Sequence, residues 1–407
     1  MTPLARRLAA VRGFCACLSL GCMVHLAHAQ STPTGSISVL ADHLPNRDAT
    51  ELRARLTGEQ KAEAGSRIRL VAAGFVEGLL ADREGAVGDA VAEATDVSAT
   101  FRLKRLDVTA GFGRVVWGRL DELQPTDVIN PIDVSRFFFE GRSEARLAVP
   151  LLRAIVYAGE HASVEGIYVP FFRRGRFDRL DEPSSPFNLA PAIAYSDRAP
   201  AHTAANGQGG VRATFTSGRV DWSVASYRGF RPLGIYAAPD PFSLERVYPR
   251  FTMVGGDFET VAGPWGVRGE VAVFTEDAFQ PPSASPARTG RSVDAGGGVD
   301  RKAGDYRISG QFLVHREDYD DGGEPRNDVS LIVSADRSFA REKYEGRLFG
   351  VYNPNEGTAF VRGIVRANLR DNVALETSLG VFAGDGSDSV GRFADSDFAY
   401  VRLKYSF

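Results

Sequence analysis

The sequence predicts an all-β chain that closes into a transmembrane antiparallel β-barrel of about 18 strands, within a range of about 14 to 18, preceded by a cleaved signal peptide. Three observations predict it. The first thirty residues carry the features of an export leader. The remainder alternates apolar and polar side chains in short runs punctuated by turn residues. The connections between those runs alternate between short and long.

The leader is taken first. Arg6, Arg7 and Arg12 form a basic start, and a largely apolar stretch runs from Val11 to Ala27. Ala27-His28-Ala29 has the small-x-small pattern of a cleavage site, so 1–29 is expected to be removed and Gln30 to begin the mature chain. The apolar stretch is short for a membrane anchor. Leu18-Ser19-Leu20-Gly21-Cys22 approaches a lipoprotein box, but Ser19 stands where a large apolar residue is required. Cys15, Cys17 and Cys22 all fall within the leader, so the mature chain is expected to use neither disulfides nor thiolate ligands. Removing the three leader arginines from 48 basic residues leaves 45 against 51 acidic ones, a net −6. That balance does not point to nucleic acid. No later apolar run approaches the length of a membrane helix.

At the other end, Ala399, Val401, Leu403, Tyr405 and Phe407 form one face. Tyr400, Arg402, Lys404 and Ser406 form the other. Successive strand side chains point to opposite faces, so this pattern fits lipid on one side and water on the other. The closing Tyr405 and Phe407 resemble the signal read by the barrel assembly machinery.

Strands are expected near 35–41, 51–60, 66–81, 96–105, 107–117, 143–149, 161–170, 208–217, 219–227, 249–259, 264–275, 292–301, 304–315, 327–337, 343–352, 357–369, 372–383 and 396–407. Connections after odd-numbered strands are mostly long: 82–95, 118–142, 171–207, 228–248, 276–291, 316–326 and 384–395. Those after even-numbered strands are mostly short, with 150–160 as the exception. Outer-membrane barrels have this asymmetry, with short periplasmic turns and long outer loops. Only closure is viable in hydrocarbon, because a sheet edge there leaves backbone groups unpaired. Gly255, Gly256, Gly296, Gly297 and Gly298 within strands fit barrel curvature and close packing. No helix of useful length is expected. A soluble β-sandwich or propeller is the competing architecture, since it would alternate in the same way.

The segment from Trp117 to Asp133 departs from the strand pattern. It reads Trp117-Gly118, then Asp121, then Asp127-Val128-Ile129-Asn130-Pro131. In this stretch the chain resembles a family of uncharacterised proteobacterial outer-membrane proteins. They share a Trp-Gly, an Asp and an Asp-Val-x-Asn-Pro pattern after an early barrel strand. The resemblance implies a barrel, and some members are associated with export pumps of the resistance-nodulation-division type. Read from the residues alone, Asp and Asn bond locally to backbone, while Pro125 and Pro131 stiffen the path. Folded inward, 118–142 would be a candidate constriction loop, with Asp121, Asp127, Asn130 and Asp133 at the narrow point. Packed on the rim, it would be an ordinary outer loop. A divalent cation on these oxygens is a third option; no metal site is assigned.

Other residues carry paired readings. Phe137-Phe138-Phe139 and Tyr168-Val169-Pro170-Phe171-Phe172 fit an interfacial aromatic girdle, or a hydrophobic path for solute. Arg173, Arg174 and Arg176 open the longest loop, either as outer-loop groups for lipopolysaccharide phosphates or acidic solutes, or as a solvated run. Arg362 and Arg366 share one strand face, opposite Val361, Gly363, Val365, Ala367 and Leu369. They should line the lumen together with Arg402 and Lys404, because lipid-facing Arg at mid-membrane costs roughly 2–4 kcal/mol. Such a strip would select anionic or polar solutes, or would pair with acids such as Glu345 and Glu376 to fill the interior. His161-Ala162-Ser163 has the His-x-Ser spacing of outer-membrane phospholipases, but Val164-Glu165 replaces the expected Asn-Gly. The expected function is a channel passing small polar or charged solutes, without cofactors and without enzymatic chemistry. The alternative is a closed barrel that partners an envelope export complex. Outer-membrane lipid, lipopolysaccharide and the assembly machinery are the expected partners.

Overall fold

The computed structural model describes residues 32–82, 86–177, 187–189, 194–240, 243–280 and 287–407. The leader expected over 1–29 lies outside them. Among the described residues one antiparallel sheet of 18 strands dominates. In chain order these are β1 (Thr34–Leu44), β2 (Ala49–Ala64), β3 (Ile68–Asp82), β4 (Ala86–Leu103), β5 (Leu106–Gly113), β6 (Val149–Tyr157) and β7 (Ala162–Val169). A short β8 (Ser196–Arg198) precedes β9 (Gln208–Ser217) and β10 (Val220–Phe230). β11 (Ile235–Asp240) and β12 (Ser243–Val247) pair with β8 in a separate three-stranded sheet. The barrel resumes with β13 (Arg250–Ala262), β14 (Trp265–Phe279), β15 (Arg288–Ala303), β16 (Tyr306–Tyr319), β17 (Arg326–Phe339), β18 (Tyr344–Asn353), β19 (Thr358–Arg370), β20 (Val373–Ala383) and β21 (Phe398–Ser406).

Closure comes from the first and last strands. β1 pairs with β2 on one side and with β21 on the other, from Ser36 opposite Ser406 to His43 opposite Ala399. The seam is extended by the Gly35 amide donating to the Phe407 carbonyl at 2.8 Å and the Phe407 amide returning to Gly35 at 3.0 Å. A sheet closed in this way leaves no free edge.

Alternation is consistent around the wall. Val361 and Val365 on β19, Leu379 and Val381 on β20, and Val401, Leu403 and Tyr405 on β21 are exposed on the outside. Their neighbours Phe360, Arg362, Ser378, Tyr400 and Phe382 are buried on the inside. The same holds on β14, where Val271 and Val273 face out while Glu270, Ala272 and Phe274 face in. An exposed apolar band beside a polar and aromatic interior is the inverse of a soluble domain, and it is what hydrocarbon contact requires.

Seventeen of the 18 expected strands coincide with a barrel strand, although the one expected at 107–117 already ends at Gly113. The strand expected at 143–149 is instead a short helix, Arg142–Ala145, and β6 begins at Val149. Pro150 occupies its second position, where the missing N–H is tolerated. This strand reads poorly because Leu151 packs inward on an apolar cluster while Leu152 faces lipid, so alternation is lost. The connection 150–160, read as an exception to the loop asymmetry, therefore shrinks to 158–161, while 45–48, 83–85 and 354–357 are short connections on the long-loop side. The stretch 82–95, read as a loop, is mostly strand, because β4 starts at Ala86. No helix of the described residues is long and apolar enough to cross a membrane.

Candidate functional site

The segment between β5 and β6, residues 114–148, packs against inward-facing side chains from strands on both sides of the barrel. Its first half lies on the β6–β14 wall. Trp117, fully buried, sits edge-on to Tyr227 with ring centres 6.1 Å apart, and its indole N–H donates to Glu165 of β7 at 3.0 Å. Arg119 reaches Asp257 at 2.8 Å and Glu259 at 3.1 Å on β13. Glu270 of β14 accepts from the amides of Arg119 (3.0 Å), Leu120 (3.3 Å) and Thr126 (2.6 Å), and from the Thr126 hydroxyl (2.8 Å). One buried carboxylate thus satisfies four donors of a chain without regular structure, which is the condition for burying it.

Further along, Gln311 of β16 brackets the chain. Its amide donates to the Leu123 carbonyl at 2.8 Å and its oxygen accepts from the Glu122 amide at 3.2 Å. Glu122 pairs with Arg347 of β18. The helix Val134–Glu140 then rests on the opposite wall. Asp133 caps it, accepting from the Arg136 amide at 3.2 Å, and Gly141 ends it at a positive φ of 86°. Glu140 forks onto Arg55 of β2 at 2.9 and 2.7 Å. Arg362 of β19 donates to the Phe139 carbonyl at 2.7 Å and to the Tyr400 hydroxyl at 2.7 Å. Burial alone would raise the Glu140 carboxyl, but the Arg55 guanidinium, helped by Arg136 and Arg402, holds it well below the usual carboxylate range.

The wall is cut to receive this segment. Gly118 has φ +91°, and a Cβ there would lie 2.6 Å from the Glu270 carboxylate. Inward-facing Gly296 and Gly298 leave room for Leu120, whose methyls would stand 3.0 and 3.3 Å from the added Cβ atoms. The strand glycines therefore serve the inserted segment as well as wall geometry. Phe138 meets the rings of Phe137, Phe187, Phe360, Phe382 and Phe393, with centres 5.0–5.5 Å apart. The expected girdle role fails for Phe138 and Phe139: both are buried in this inner cluster. Tyr168 and Phe171 are exposed, whereas Phe172 packs on Phe230 and Tyr248.

The remaining sequence-derived residues sit as follows. Asp121 accepts from Arg268 of β14 at 3.1 Å. Asp127 is engaged within its own segment by Arg142 at 3.0 Å and Arg146 at 2.8 Å. Asn130 ties the two stems together, accepting from the Val115 amide at 2.8 Å and donating to the carbonyls of Leu147 (2.8 Å) and Gly113 (3.3 Å). Asp133, fully buried, also accepts from Arg176 at 2.6 Å. Arg402 lies 3.3 Å from Glu376 and 3.6 Å from Glu140. Arg366 and Lys404 face inward, exposed, and make no ion pair among the described residues. Arg173 turns to Glu93 at 3.2 Å and to the ring of Phe112, while Arg174 reaches Asp197 at 3.4 Å. His161 lies in the turn before β7, and among the described residues no hydrogen bond joins it to Ser163.

Sequence reading missed Glu270, Gln311, Arg347 and Arg55, which hold the segment, and the helix itself. Asp133 and Gly141 are the cap signals that mark its ends. Between Glu122, Glu140, Phe139, Arg347, Arg362 and Arg402 a cavity of about 140 Å³ remains.

No protein-family model matches the sequence, and no curated protein matches it. Solved structures do share the fold. Pseudomonas aeruginosa OccK5 (OpdH) superposes with a TM-score of 0.54 at 9% identity, covering 93% of this chain and 97% of that one. The architecture is a closed 18-stranded antiparallel β-barrel, as in these structures. P. aeruginosa OpdK, solved with vanillate, gives 0.53 at 10% identity over 92% of this chain and 97% of that one. Acinetobacter baumannii OccAB3 gives 0.53 at 8% identity over 92% and 98%. At such identities the likeness carries the fold and nothing finer.

Proposed function

We propose that this chain is an outer-membrane channel that passes small polar or charged solutes, with 118–142 narrowing the lumen. The observation that carries this reading is the set of bonds from that segment to inward side chains on β2, β13, β14, β16, β18, β19 and β21. A segment bonded on opposite walls divides the cross-section, and solute would pass through what remains. The groups facing that space favour polar cargo. Arg347, Arg362 and Arg402 stand beside Glu122, Glu140 and Glu376 at the cavity. Arg366 and Lys404 lie further toward the short-turn end and make no ion pair among the described residues, with Glu345 and Glu376 opposite Arg366 on the neighbouring strands. Positive charge enclosed by low-dielectric walls attracts anions. The neighbour solved with vanillate makes small carboxylates the first solutes to test. No hydrolytic role is retained, since the His161–Ser163 pair lacks the contact that would activate the serine.

One observation supports the alternative of a sealed barrel serving as a partner in an envelope complex. The aromatic cluster around Phe138 and the Arg–Glu pairs fill much of the interior. Planar-bilayer recordings of the purified barrel separate the two readings. Discrete conductance steps that favour anions support the channel. Absence of any step, across chloride, acetate and benzoate salts, overturns it.

A further inference from the structure

The outward face is not uniform at the short-turn end. Across five adjacent strands, β14 to β18, it carries a strip of paired aromatic and cationic side chains. Trp265 pairs with Arg301 across the first two strands, and the guanidinium stands 5.5 Å from the indole centre. Tyr306 on the next strand pairs with Arg337, whose guanidinium stands 4.6 Å from the phenol ring. Phe339 then stacks on Tyr344 with centres 5.4 Å apart. Toward the middle of the wall the same face continues as exposed Val299, Ile308, Val333 and Leu348. The strip therefore borders the lipid-facing band.

Arg301 and Arg337 make no ion pair among the described residues. The nearest strand carboxylates, Asp300 and Asp336, belong to the inner face, where they meet Arg268 and Arg307, and Arg347, respectively. Asp305 and Glu342 lie in the turns beyond. Two guanidinium groups placed over aromatic rings, next to hydrocarbon and with no ion pair among the described residues, suit an anion that arrives with apolar chains attached. Strand spacing and rise put the two arginines roughly 10–12 Å apart, a span that one phospholipid headgroup with its glycerol can bridge.

We propose that this strip is a binding site for an anionic glycerophospholipid of the periplasmic leaflet. The arginines fork onto phosphate oxygens, and the indole N–H of Trp265 and the hydroxyl of Tyr306 serve the ester region. The acyl chains lie on Val299, Ile308 and Val333. Short turns mark the periplasmic side in such barrels, which fixes the leaflet. The assignment rests on the barrel being embedded in lipid. A barrel that inserts but shows no headgroup preference defeats this assignment and leaves the channel reading intact.

The test uses the mature chain reconstituted in vesicles of equal phosphatidylglycerol and phosphatidylcholine, then released for native mass spectrometry. The wild type should retain phosphatidylglycerol in excess. Arg301→Gln with Arg337→Gln should lower that retention by about tenfold or more, as expected for two basic groups at a lipid surface. Equal retention by wild type and variant, or equal retention of both lipids by the wild type, overturns the proposal. So does a variant that loses only added lipopolysaccharide. Should the double variant fail to fold, Trp222→Phe alone decides the matter. It leaves Trp265 as the indole at the lipid face, since Trp117 is buried. Brominated phosphatidylglycerol should then quench at least twice as strongly as brominated phosphatidylcholine, and equal quenching refutes the site.

Discussion

Asn130 offers the sharpest perturbation, because its buried side chain joins the two stems of the inserted segment. Replacing it with Ala removes the acceptor for the Val115 amide and the donor for the Leu147 and Gly113 carbonyls. Each hydrogen bond is worth about 1 kcal/mol net, and each buried group left unpaired costs about 1–3 kcal/mol. The loss is therefore about 3 kcal/mol where water reaches the three groups, and about 6 kcal/mol where it does not. Asn130→Asp keeps the acceptor but turns a carboxylate toward two carbonyls, so it should be no better than Ala. Urea unfolding of the barrel in vesicles measures the global loss. Trypsin cleavage at Arg119, Arg136 and Arg142 reports release of the segment. A change below about 1 kcal/mol with no new cleavage would refute the bridging role of the carboxamide.

Three further outcomes follow from the same geometry. Phe138→Ala empties the centre of the ring cluster and should cost about 3–5 kcal/mol, with larger or noisier conductance as the helix loosens. Glu140 titrates below the ordinary carboxylate range, so its stabilising contribution is present above about pH 4.3 and is lost as pH falls through the lower folded value. The stability gap between wild type and Glu140→Gln should thus be constant from neutrality to about pH 5 and close on further acidification; a gap that widens in acid reverses the sign and contradicts the Arg55 pairing. Arg366→Glu with Lys404→Glu should move the reversal potential in a salt gradient toward cation preference, and an unchanged potential would show that these side chains do not face the conducting path.

Much of the fold was legible because lipid outside and water or protein inside impose a two-residue period along each strand. The strand Tyr306–Tyr319 shows this: Tyr306, Ile308, Phe312 and Val314 face out while Ser309, Gln311 and His315 face in. β6 was misplaced where that contrast failed, since Val149 and Leu151 at the start of its inner face are as apolar as Leu152 outside. The helix Val134–Glu140 was hidden for a related reason. Phe137-Phe138-Phe139 is a continuous apolar run with no helical period, and only its contacts on three sides explain it. At the site, the Asp-Val-Ile-Asn-Pro stretch announced a loop of fixed geometry. Its partners Glu270, Gln311, Arg347 and Arg55 could not be read, because each looks like an ordinary polar residue on an inward strand face. The separations along the chain, such as 144 residues between Thr126 and Glu270, lie far beyond any local pattern.

The account stands on the inserted segment setting the size of a conducting path. Single-channel recording of the mature barrel beside a variant in which 118–142 is replaced by a short glycine–serine linker tests this directly. Small, discrete steps in the wild type and severalfold larger steps in the variant are the expected result. Equal step sizes in the two proteins, or no steps from either, would contradict it.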